Sequence, residues 1–164
     1  MIIGITGLIG SGKDTAADYL CTFHGFKRMS FAGTLKDAVA AVFGWDRELL
    51  EGSTKASREW REQVDEWWAN RLGIPDLTPR YILQQWGTEV CRKGFHNDIW
   101  VASVEYRLRN ITDNVVITDC RFPNELNAIK NAGGVTMRTH RGLAPGWIEY
   151  AEVLNTTDDI GTKT

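Results

Sequence analysis

Residues 7–15, with the sequence GLIGSGKDT, have the composition and spacing of a phosphate-binding loop. Glycine lets the backbone wrap within hydrogen-bonding distance of phosphate oxygens at points where a Cβ would clash. Lys13 adds a mobile positive charge, and the helix predicted to begin near it points its positive end at the same anion. The predicted phosphate-contacting residues are Gly7, Gly10, Ser11, Gly12, Lys13, Asp14 and Thr15. They predict binding of a nucleoside triphosphate and transfer of its terminal phosphoryl group, the alternative being a ligand-free turn.

Asp14 occupies the position where this loop pattern usually has serine or threonine, and the hydroxyl of Thr15 follows one position later. Mg²⁺ is a hard cation that accepts carboxylate oxygen directly or through water. We therefore predict that Asp14 takes the metal position and that Thr15 offers its hydroxyl to the metal or to the α-phosphate.

Asp119 and Arg121 follow the strongly apolar run VVIT. If that strand neighbours the first one, Asp119 lies at the same sheet edge as the loop and can order magnesium, partly through water. Arg121 would project into the same crevice, where a guanidinium stabilises charge on the transferring phosphoryl group. With Lys13 these are the predicted catalytic residues. Two alternatives stay open: Asp119 caps the following turn, and Arg121 forms a salt bridge with Glu125.

A second set of polar residues predicts a pocket for the phosphoryl acceptor. Arg80 lies in the first turn of a predicted helix, with Gln84 four residues later on the same face. Arginine can hold a phosphate with two parallel hydrogen bonds, and glutamine or threonine can bind a base or sugar edge. The neighbouring candidates are Gln85, Gly87, Thr88 and Glu89. The alternative for Arg80 and Gln84 is a solvated helix face.

Lys36, Arg58 and Arg61 are further cations that a closing helical segment could bring to phosphates, although charged helix faces are common. The three histidines have neither metal-ligand spacing nor a nucleophile partner, and we assign them no role.

The elements that must position these residues alternate between strand and helix. Strands are predicted at residues 2–6, 27–32, 114–120 and 135–140. Helices are predicted at residues 13–23 before Gly25, 34–45 with Thr34 as N-cap, 79–92 after Thr78, 99–109 after Asp98, 122–132 and 144–155. Residues 45–77 depart from the alternation and predict an inserted helical arm, interrupted at Gly52 and at residues 73–75. The pattern predicts an α/β fold with a parallel sheet and helices on both faces.

Size and charge narrow the range of functions. A chain of 164 residues without internal repeats predicts one domain over residues 1–164, and a net charge of -2 gives little support for nucleic-acid binding. No apolar run approaches membrane-spanning length, so no membrane association is expected. The three cysteines lack C-x-x-C spacing and suit a reducing cytoplasm. The sequence contains no pattern that indicates the oligomeric state, so a monomer and a homodimer both stay open.

Together these segments resemble the bacteriophage deoxynucleoside monophosphate kinases, which are members of the nucleoside monophosphate kinase group of P-loop proteins. The resemblance covers nearly the whole chain. It depends on IGITGLIGSGKDT, SFAGTLKDAVAAVFGW, TPRYILQQWGTEV, HNDIW and VVITDCRFPNELNAIKNAGG. A P-loop alone is common, whereas GKDT combined with QQWGTE and DCRFPNE is a narrow combination.

The resemblance implies a three-layer P-loop kinase fold, ATP as donor, Mg²⁺, a deoxynucleoside 5′-monophosphate as acceptor and the diphosphate as product. By matching position, residues 10–15 would hold donor phosphates, and Arg80, Gly87, Thr88 and Asp98 would lie around the acceptor. Lys36 and Gln84 complete the set of predicted acceptor-binding residues. The arm would close over the nucleotide. A phage protein of this kind would work in the host cytoplasm.

One departure from the family concerns the C-terminal region. No segment after Arg141 has the pattern of the family's lid or of its last strand, so we predict that the C-terminal strand is missing. Two other functions stay open: a kinase of the dephospho-coenzyme A type, whose loop is similar, and a nucleotide-binding protein without transfer activity.

Overall fold

The computed structural model describes residues 1–142, which divide into two compact units. The first unit contains Met1–Phe31 and the chain from Val101 onward, and the second unit is Ala32–Trp100. The helix predicted over residues 144–155 and the predicted absence of a C-terminal strand fall outside the described residues.

The first unit is built on a parallel sheet. Its strands within the described residues are β1 (Ile2–Thr6), β2 (Lys27–Met29), β3 (Val115–Ile117) and β4 (Val135–Arg138). Their order is β2-β3-β1-β4, and each neighbouring pair is parallel. Ile3 lies opposite Val116 of β3 and Val135 of β4. The predicted α/β class with a parallel sheet is therefore confirmed, and β3 is a direct neighbour of β1.

Helices cover both faces of this sheet. They are α1 (Lys13–His24), α7 (Ile99–Leu108, of which residues from Val101 belong to this unit) and α8 (Pro123–Asn131). Ile3, Ile5 and Val116 form one buried cluster with Ala17 of α1. Val115 and Ile117 form another with residues of α7 and α8, among them Val104 and Ile129. Successive strand residues point to opposite faces, so burial on both faces explains why these strands are continuously apolar.

The second unit is helical. Its helices are α2 (Gly33–Phe43), α3 (Arg47–Glu51), α4 (Lys55–Arg61), α5 (Glu66–Leu72) and α6 (Pro79–Gln84), which continues as a π-helix over Gln85–Lys93. The core contains Leu35, Val39, Phe43, Leu50, Leu77, Ile82 and Trp100. Trp45, Trp60, Trp68 and Trp86 pack against it, whereas Trp67 is exposed. Most tryptophans are thus core residues, as expected from their usual role. No helix within residues 1–142 has both the length and the hydropathy to span a membrane.

The predicted helix after Thr78 is present, but its second half has an unexpected form. Thr78 accepts a hydrogen bond at Oγ1 from the N–H of Tyr81, and Pro79 occupies the first turn. From Gln85 the hydrogen bonding widens to the π pattern through Lys93. π-helical turns are rare in proteins overall, and those that occur are frequently found at functional sites. No residue type in this segment predicts one.

Thr34 is not the N-cap of α2. Ala32 occupies that position without a side-chain hydrogen bond, and the helix begins at Gly33. The cause lies in the preceding strand: β2 ends at Met29, and the chain turns at residues 31–32, so the helix starts earlier than predicted. The strand predicted over residues 27–32 is therefore too long.

Residues 45–77 contain the three short helices α3, α4 and α5. Asp46, Thr54 and Asp65 cap them, each accepting a backbone N–H with its side chain. Gly52 and Gly73, with φ angles of 71° and 68°, end α3 and α5 in the left-handed conformation. Because glycine adopts this conformation without steric cost, the predicted interruptions at these positions occur where expected.

Candidate functional site

The phosphate-binding loop connects the buried end of β1 to the start of α1. Its glycines Gly7, Gly10 and Gly12 have φ angles of 147°, 76° and 92°, a region that residues with a Cβ rarely adopt. Gly12 is the N-cap of α1 and provides no side chain that could accept a hydrogen bond. The first N–H groups of the helix therefore point toward the loop without a capping side chain. This backbone has the form that an anion cradle requires.

Lys13 folds back over the loop. Its Nζ donates to the carbonyl oxygens of Gly7 at 2.7 Å and Leu8 at 2.8 Å. Partial burial lowers the pKa of Lys13, the charge of Asp14 raises it, and the positive charge of Arg121 lowers it further. Arg121 follows β3, the parallel neighbour of β1, so it lies at the same edge of the sheet as the loop and Lys13.

The end of β4 forms a wall of the loop. The N–H of Thr139 donates to the carbonyl of Thr6 at 2.9 Å, and its Oγ1 lies 2.8 Å from Ser11 Oγ. A cavity of about 240 Å³ is lined by residues 8–11 of the loop and by Arg138, Thr139, His140 and Arg141. We did not assign these four residues a role from the sequence. The basic and hydroxyl-bearing run RTHR at the end of the strand predicted over residues 135–140 was the available signal.

We expect Gly7→Ala to disrupt the loop. A Cβ at Gly7 would lie 2.6 Å from Ser11 Oγ, Thr139 O and Thr139 Oγ1, and strain in this backbone region costs on the order of 1–3 kcal/mol. ATP affinity measured by calorimetry should fall roughly 10-fold or more, since 1.4 kcal/mol corresponds to that factor.

Gly133→Ala is the matched control for this change. Gly133 also has a positive φ, 76°, but a Cβ there meets nothing within 4 Å. It lies at the end of α8, before β4 begins, so its substitution should leave ATP affinity unchanged. Parental affinity in Gly7→Ala would show that the loop backbone is not the phosphate cradle.

A larger apolar cavity lies along α1. Its volume is about 770 Å³, and it is lined by Gly12, Thr15, Ala16, Tyr19, Leu20, Met137 and Arg141. Thr15 is exposed on the first turn of α1 and forms part of this lining. A cavity with apolar walls that begins at the end of the loop can accept the flat, mostly apolar ring of a nucleotide base.

Asp14 forms an ion pair with Arg28 of β2. Arg28 donates to Asp14 Oδ1 at 3.0 Å and to Asp18 Oδ1 at 3.0 Å, and also to the backbone oxygen of Asp14 at 2.8 Å. The Asp14 side chain is nevertheless 76% exposed. Ion pairs in so much solvent are weak, about 0–1 kcal/mol, so a cation can compete for this carboxylate. Sequence reasoning missed Arg28, whose proximity depends on β2 lying beside α1.

Asp119 follows β3, the strand that neighbours β1. Its Oδ1 accepts the backbone N–H of Phe31 at 3.0 Å. The carboxylate of Glu125 accepts the backbone N–H groups of Arg121 at 2.7 Å and Phe122 at 3.0 Å. Glu125 thus contacts the main chain of Arg121, whereas the alternative considered from the sequence was a salt bridge between their side chains.

The predicted acceptor residues belong to the second unit. Arg80 donates to Glu62 Oε1 at 2.8 Å, and Lys36 donates to Glu51 Oε1 at 2.7 Å. Gly87 is buried in the π-helix, and its carbonyl accepts the indole N–H of Trp100 at 3.0 Å. Besides Arg80, the exposed candidates are Gln84 and Thr88, one helical turn apart, and Asp98 just before α7.

Arg61 has the most unusual environment among these cations. Its Nε is buried and has no hydrogen-bond acceptor, and its guanidinium packs on Gly52, where a Cβ would require the arginine side chain to shift. Burial has the largest effect and lowers the pKa of Arg61, and the positive charges of Arg80 and Arg58 lower it further. The negative charges of Glu62 and Glu51 act in the opposite direction and raise this pKa. A buried donor without an acceptor costs roughly 1–3 kcal/mol, so Arg61 holds this position at a cost in stability.

Glu51 joins two cations of the second unit. It accepts from Lys36 and from Arg47, both at 2.7 Å, and Arg47 also donates to Asp37. Partial burial by itself would raise the pKa of the Glu51 carboxyl, but the hydrogen bonds and charges of Lys36 and Arg47 outweigh burial and lower it. A group whose pKa is lowered by folding stabilises the protein above its unfolded pKa and loses this effect as pH falls through its folded pKa.

We therefore expect Glu51→Gln to lower the thermal midpoint at pH 7, and the difference from the parent to shrink as pH falls below about 4.5. Thermal denaturation between pH 3 and pH 7 measures this. The control is Glu59→Gln, since Glu59 pairs with Lys55 only on an exposed helix surface. A pH-independent loss in Glu51→Gln would indicate packing rather than charge.

No protein family model matches the chain. A protein of Acanthamoeba polyphaga mimivirus named as a deoxynucleotide monophosphate kinase is 35% identical over 166 residues, covering 93% of this chain and 81% of that protein. The deoxynucleoside-5′-monophosphate kinase of Escherichia phage T5 is 25% identical over 187 residues, covering 84% of this chain and 74% of its own length. Similarity of this extent reaches far beyond the phosphate-binding loop. The chain belongs to the family of viral deoxynucleoside monophosphate kinases.

Proposed function

We propose that this protein phosphorylates deoxynucleoside 5′-monophosphates to diphosphates, with ATP as donor and Mg²⁺ as cofactor. The observation that carries the proposal is the arrangement of Lys13, whose ammonium is held over the carbonyls of a glycine-rich loop at the start of α1. An arriving phosphate offers this ammonium stronger, charge-assisted hydrogen bonds than the two carbonyls do. The names of the two viral relatives support the substrate class.

The donor nucleotide is assigned to the first unit. The loop N–H groups and Lys13 would bind its phosphates, and the apolar cavity along α1 would accept its base. Arg138 and Arg141 line the smaller cavity beside Gly10 and Ser11, so they add positive charge at the loop. These cations balance a part of the triphosphate charge that the loop itself cannot neutralise.

The oxygen-rich side chains near the loop fit Mg²⁺. Asp14 offers an exposed carboxylate and Thr15 an exposed hydroxyl, and Asp119 offers a carboxylate after the neighbouring strand. Hard oxygen donors with room for water are the ligands that Mg²⁺ selects. When bound, the ion neutralises charge on the phosphates of the donor. Asp14 must then exchange its contact with Arg28 for the metal or for a metal-bound water.

The acceptor nucleotide is assigned to the second unit, with the 45–77 segment as the arm that closes over it. Arg61 and Arg80 are the proposed phosphate ligands, because Arg61 has a buried donor without an acceptor and Arg80 is a neighbouring cation. Gln84, Thr88 and Asp98 are exposed and can hydrogen-bond a base or sugar. Gly87 keeps the helix backbone close to Leu35, since a Cβ there would lie 2.8 Å from Leu35 Cδ2.

The transfer itself needs positioning and charge stabilisation rather than a general base. The acceptor phosphate is already an anionic nucleophile at neutral pH, and its oxygen attacks the terminal phosphorus as the bond to the ADP oxygen breaks. Lys13 and Arg121 act on the charge that spreads over the transferring group. Exclusion of water by arm closure would prevent hydrolysis of the donor.

A panel assay tests this proposal. ADP release is followed with ATP and Mg²⁺ in the presence of dGMP, dTMP, dCMP, dAMP, their ribonucleotide counterparts or dephospho-coenzyme A. We expect acceptor-dependent ADP with one or more deoxynucleotides. Turnover with dephospho-coenzyme A and with none of the nucleotide acceptors would support a kinase of the dephospho-coenzyme A type. ATP binding without acceptor-dependent ADP release would support a protein that only binds nucleotide.

We expect Arg61→Ala to raise the KM for the acceptor about 10- to 100-fold, the range that corresponds to a charge-assisted hydrogen bond. The KM for ATP should change little, because the proposed donor site belongs to the first unit. Arg71→Ala is the control, since Arg71 is an exposed arginine in the last turn of α5. Equal effects on both KM values would contradict the assignment of Arg61 to the acceptor phosphate.

A further inference from the structure

Glu125 is a buried carboxylate that the proposed chemistry does not use. It is 2% exposed and lies in the first turn of α8. Burial of a carboxylate is costly unless hydrogen bonds compensate for the lost water. Its Oε2 accepts two backbone N–H groups, from Arg121 at 2.7 Å and from Phe122 at 3.0 Å.

Only one of these hydrogen bonds belongs to the ordinary start of a helix. Phe122 is the N-cap of α8, and a glutamate three residues later commonly accepts the N-cap N–H in a capping box. The N–H of Arg121 lies outside the helix, and its hydrogen bond is the shorter of the two. Glu125 therefore caps α8 and, in addition, holds the backbone of the loop that follows β3.

The residue held in this way follows β3, which pairs in parallel with β1, so Arg121 lies at the same edge of the sheet as the loop and Lys13. Lys13 and Arg121 are both cations, so without an anion between them they repel each other. A flexible loop would let Arg121 move away and would add an ordering cost when phosphate binds. A fixed backbone at Arg121 reduces the number of positions that its side chain can adopt.

We propose that Glu125 is a positioning residue, which fixes the backbone of Arg121 so that its side chain stays at the sheet edge that carries the loop before the nucleotide binds. This inference rests on the proposed phosphoryl transfer, in which Arg121 stabilises charge on the transferring group. Glu125 itself touches neither nucleotide in this scheme. Its effect on the reaction passes through Arg121 alone.

The test is a double-mutant cycle with Glu125→Gln and Arg121→Ala. Glutamine keeps the size of the side chain and one acceptor oxygen, but hydrogen bonds to a neutral acceptor are about half as strong. We expect Glu125→Gln to lower kcat about 10-fold with little change in the KM for ATP, which corresponds to ~1.4 kcal/mol. In the Arg121→Ala background the same substitution should change kcat less than about 2-fold, since coupled residues are not additive. Glu105→Gln, on the exposed surface of α7, is the control.

A second measurement does not depend on catalysis. Hydrogen exchange of the Arg121 backbone amide should be about 10-fold faster in Glu125→Gln than in the parent, because its acceptor is weakened. Unchanged exchange, or an equal loss of kcat in the presence and absence of Arg121, would overturn the proposal for Glu125. If Arg121→Ala alone retains kcat, the role of Arg121 in the proposed function fails instead, and the inference fails with it. A parent without kinase activity would overturn the proposed function while the exchange measurement still decides whether Glu125 fixes Arg121.

Discussion

Replacing Lys13 with alanine is expected to abolish phosphoryl transfer while leaving the fold intact. Its Nζ is the charged group held over the loop, with hydrogen bonds to the carbonyls of Gly7 and Leu8. Loss of one preorganised donor at a transferring group costs on the order of 10²–10³ in kcat, and loss of a full charge between phosphates should reach the upper end or more. Steady-state ADP release measures kcat, and thermal denaturation measures the stability of the variant.

Lys27→Ala is the control for Lys13→Ala. Lys27 begins β2, and its exposed side chain pairs with Asp113, at the end of the sheet opposite the loop. We expect parental kcat in this variant. Retained turnover in Lys13→Ala would contradict the mechanism, whereas a lost near-UV signal in that variant would mean that Lys13 is required for folding rather than for transfer.

Replacing Arg121 with alanine is expected to lower kcat about 10³-fold, the lower end for arginines that stabilise charge in phosphoryl transfer. The structural reason is that Arg121 lies at the loop edge of the sheet, after the strand that neighbours β1, and that its backbone is anchored by the buried Glu125. Single-turnover kinetics at saturating nucleotide would separate this loss from weaker binding.

Arg109→Ala serves as the control for Arg121→Ala. Arg109 is an exposed residue just after α7, and its guanidinium lies 5.7 Å from the ring centre of Tyr106, so its loss should leave kcat unchanged. A loss below 10-fold in Arg121→Ala would mean that this arginine has a structural role, and the stabilisation of charge would then depend on Lys13 and the metal.

The local elements could be predicted because their signals are contained in short stretches of sequence. The run IIGIT forms β1, and Gly25 ends α1 in the left-handed conformation. Thr78 and Pro79 begin α6 as expected. Caps and apolar runs act over a few residues, so no distant contact is needed to specify them. The Thr34 cap was wrong because the end of β2 depends on its pairing with β3, which lies far away in the sequence.

The residues of the candidate site also fall into two groups: those that local sequence predicts and those that only tertiary contacts bring together. The loop residues and Lys13 are adjacent in sequence, and their glycine spacing alone indicated phosphate binding. The contact between Ser11 and Thr139 joins residues 128 positions apart, and the one between Phe31 and Asp119 spans 88 positions. The residue types at both ends of such contacts are common throughout the chain. Only the strand order β2-β3-β1-β4 decides which of them meet.

The sequence by itself therefore determined the phosphate-binding loop, the alternating strands and helices, and the family resemblance, because these depend on local spacing and on ordered motifs. The tertiary structure decided the partners of the charged groups. Asp14 meets Arg28, Glu125 meets the backbone of Arg121, and the buried Nε of Arg61 meets no acceptor. Electrostatic interactions fall with distance in space rather than along the chain, so a charge acquires its role only once packing has placed its neighbours.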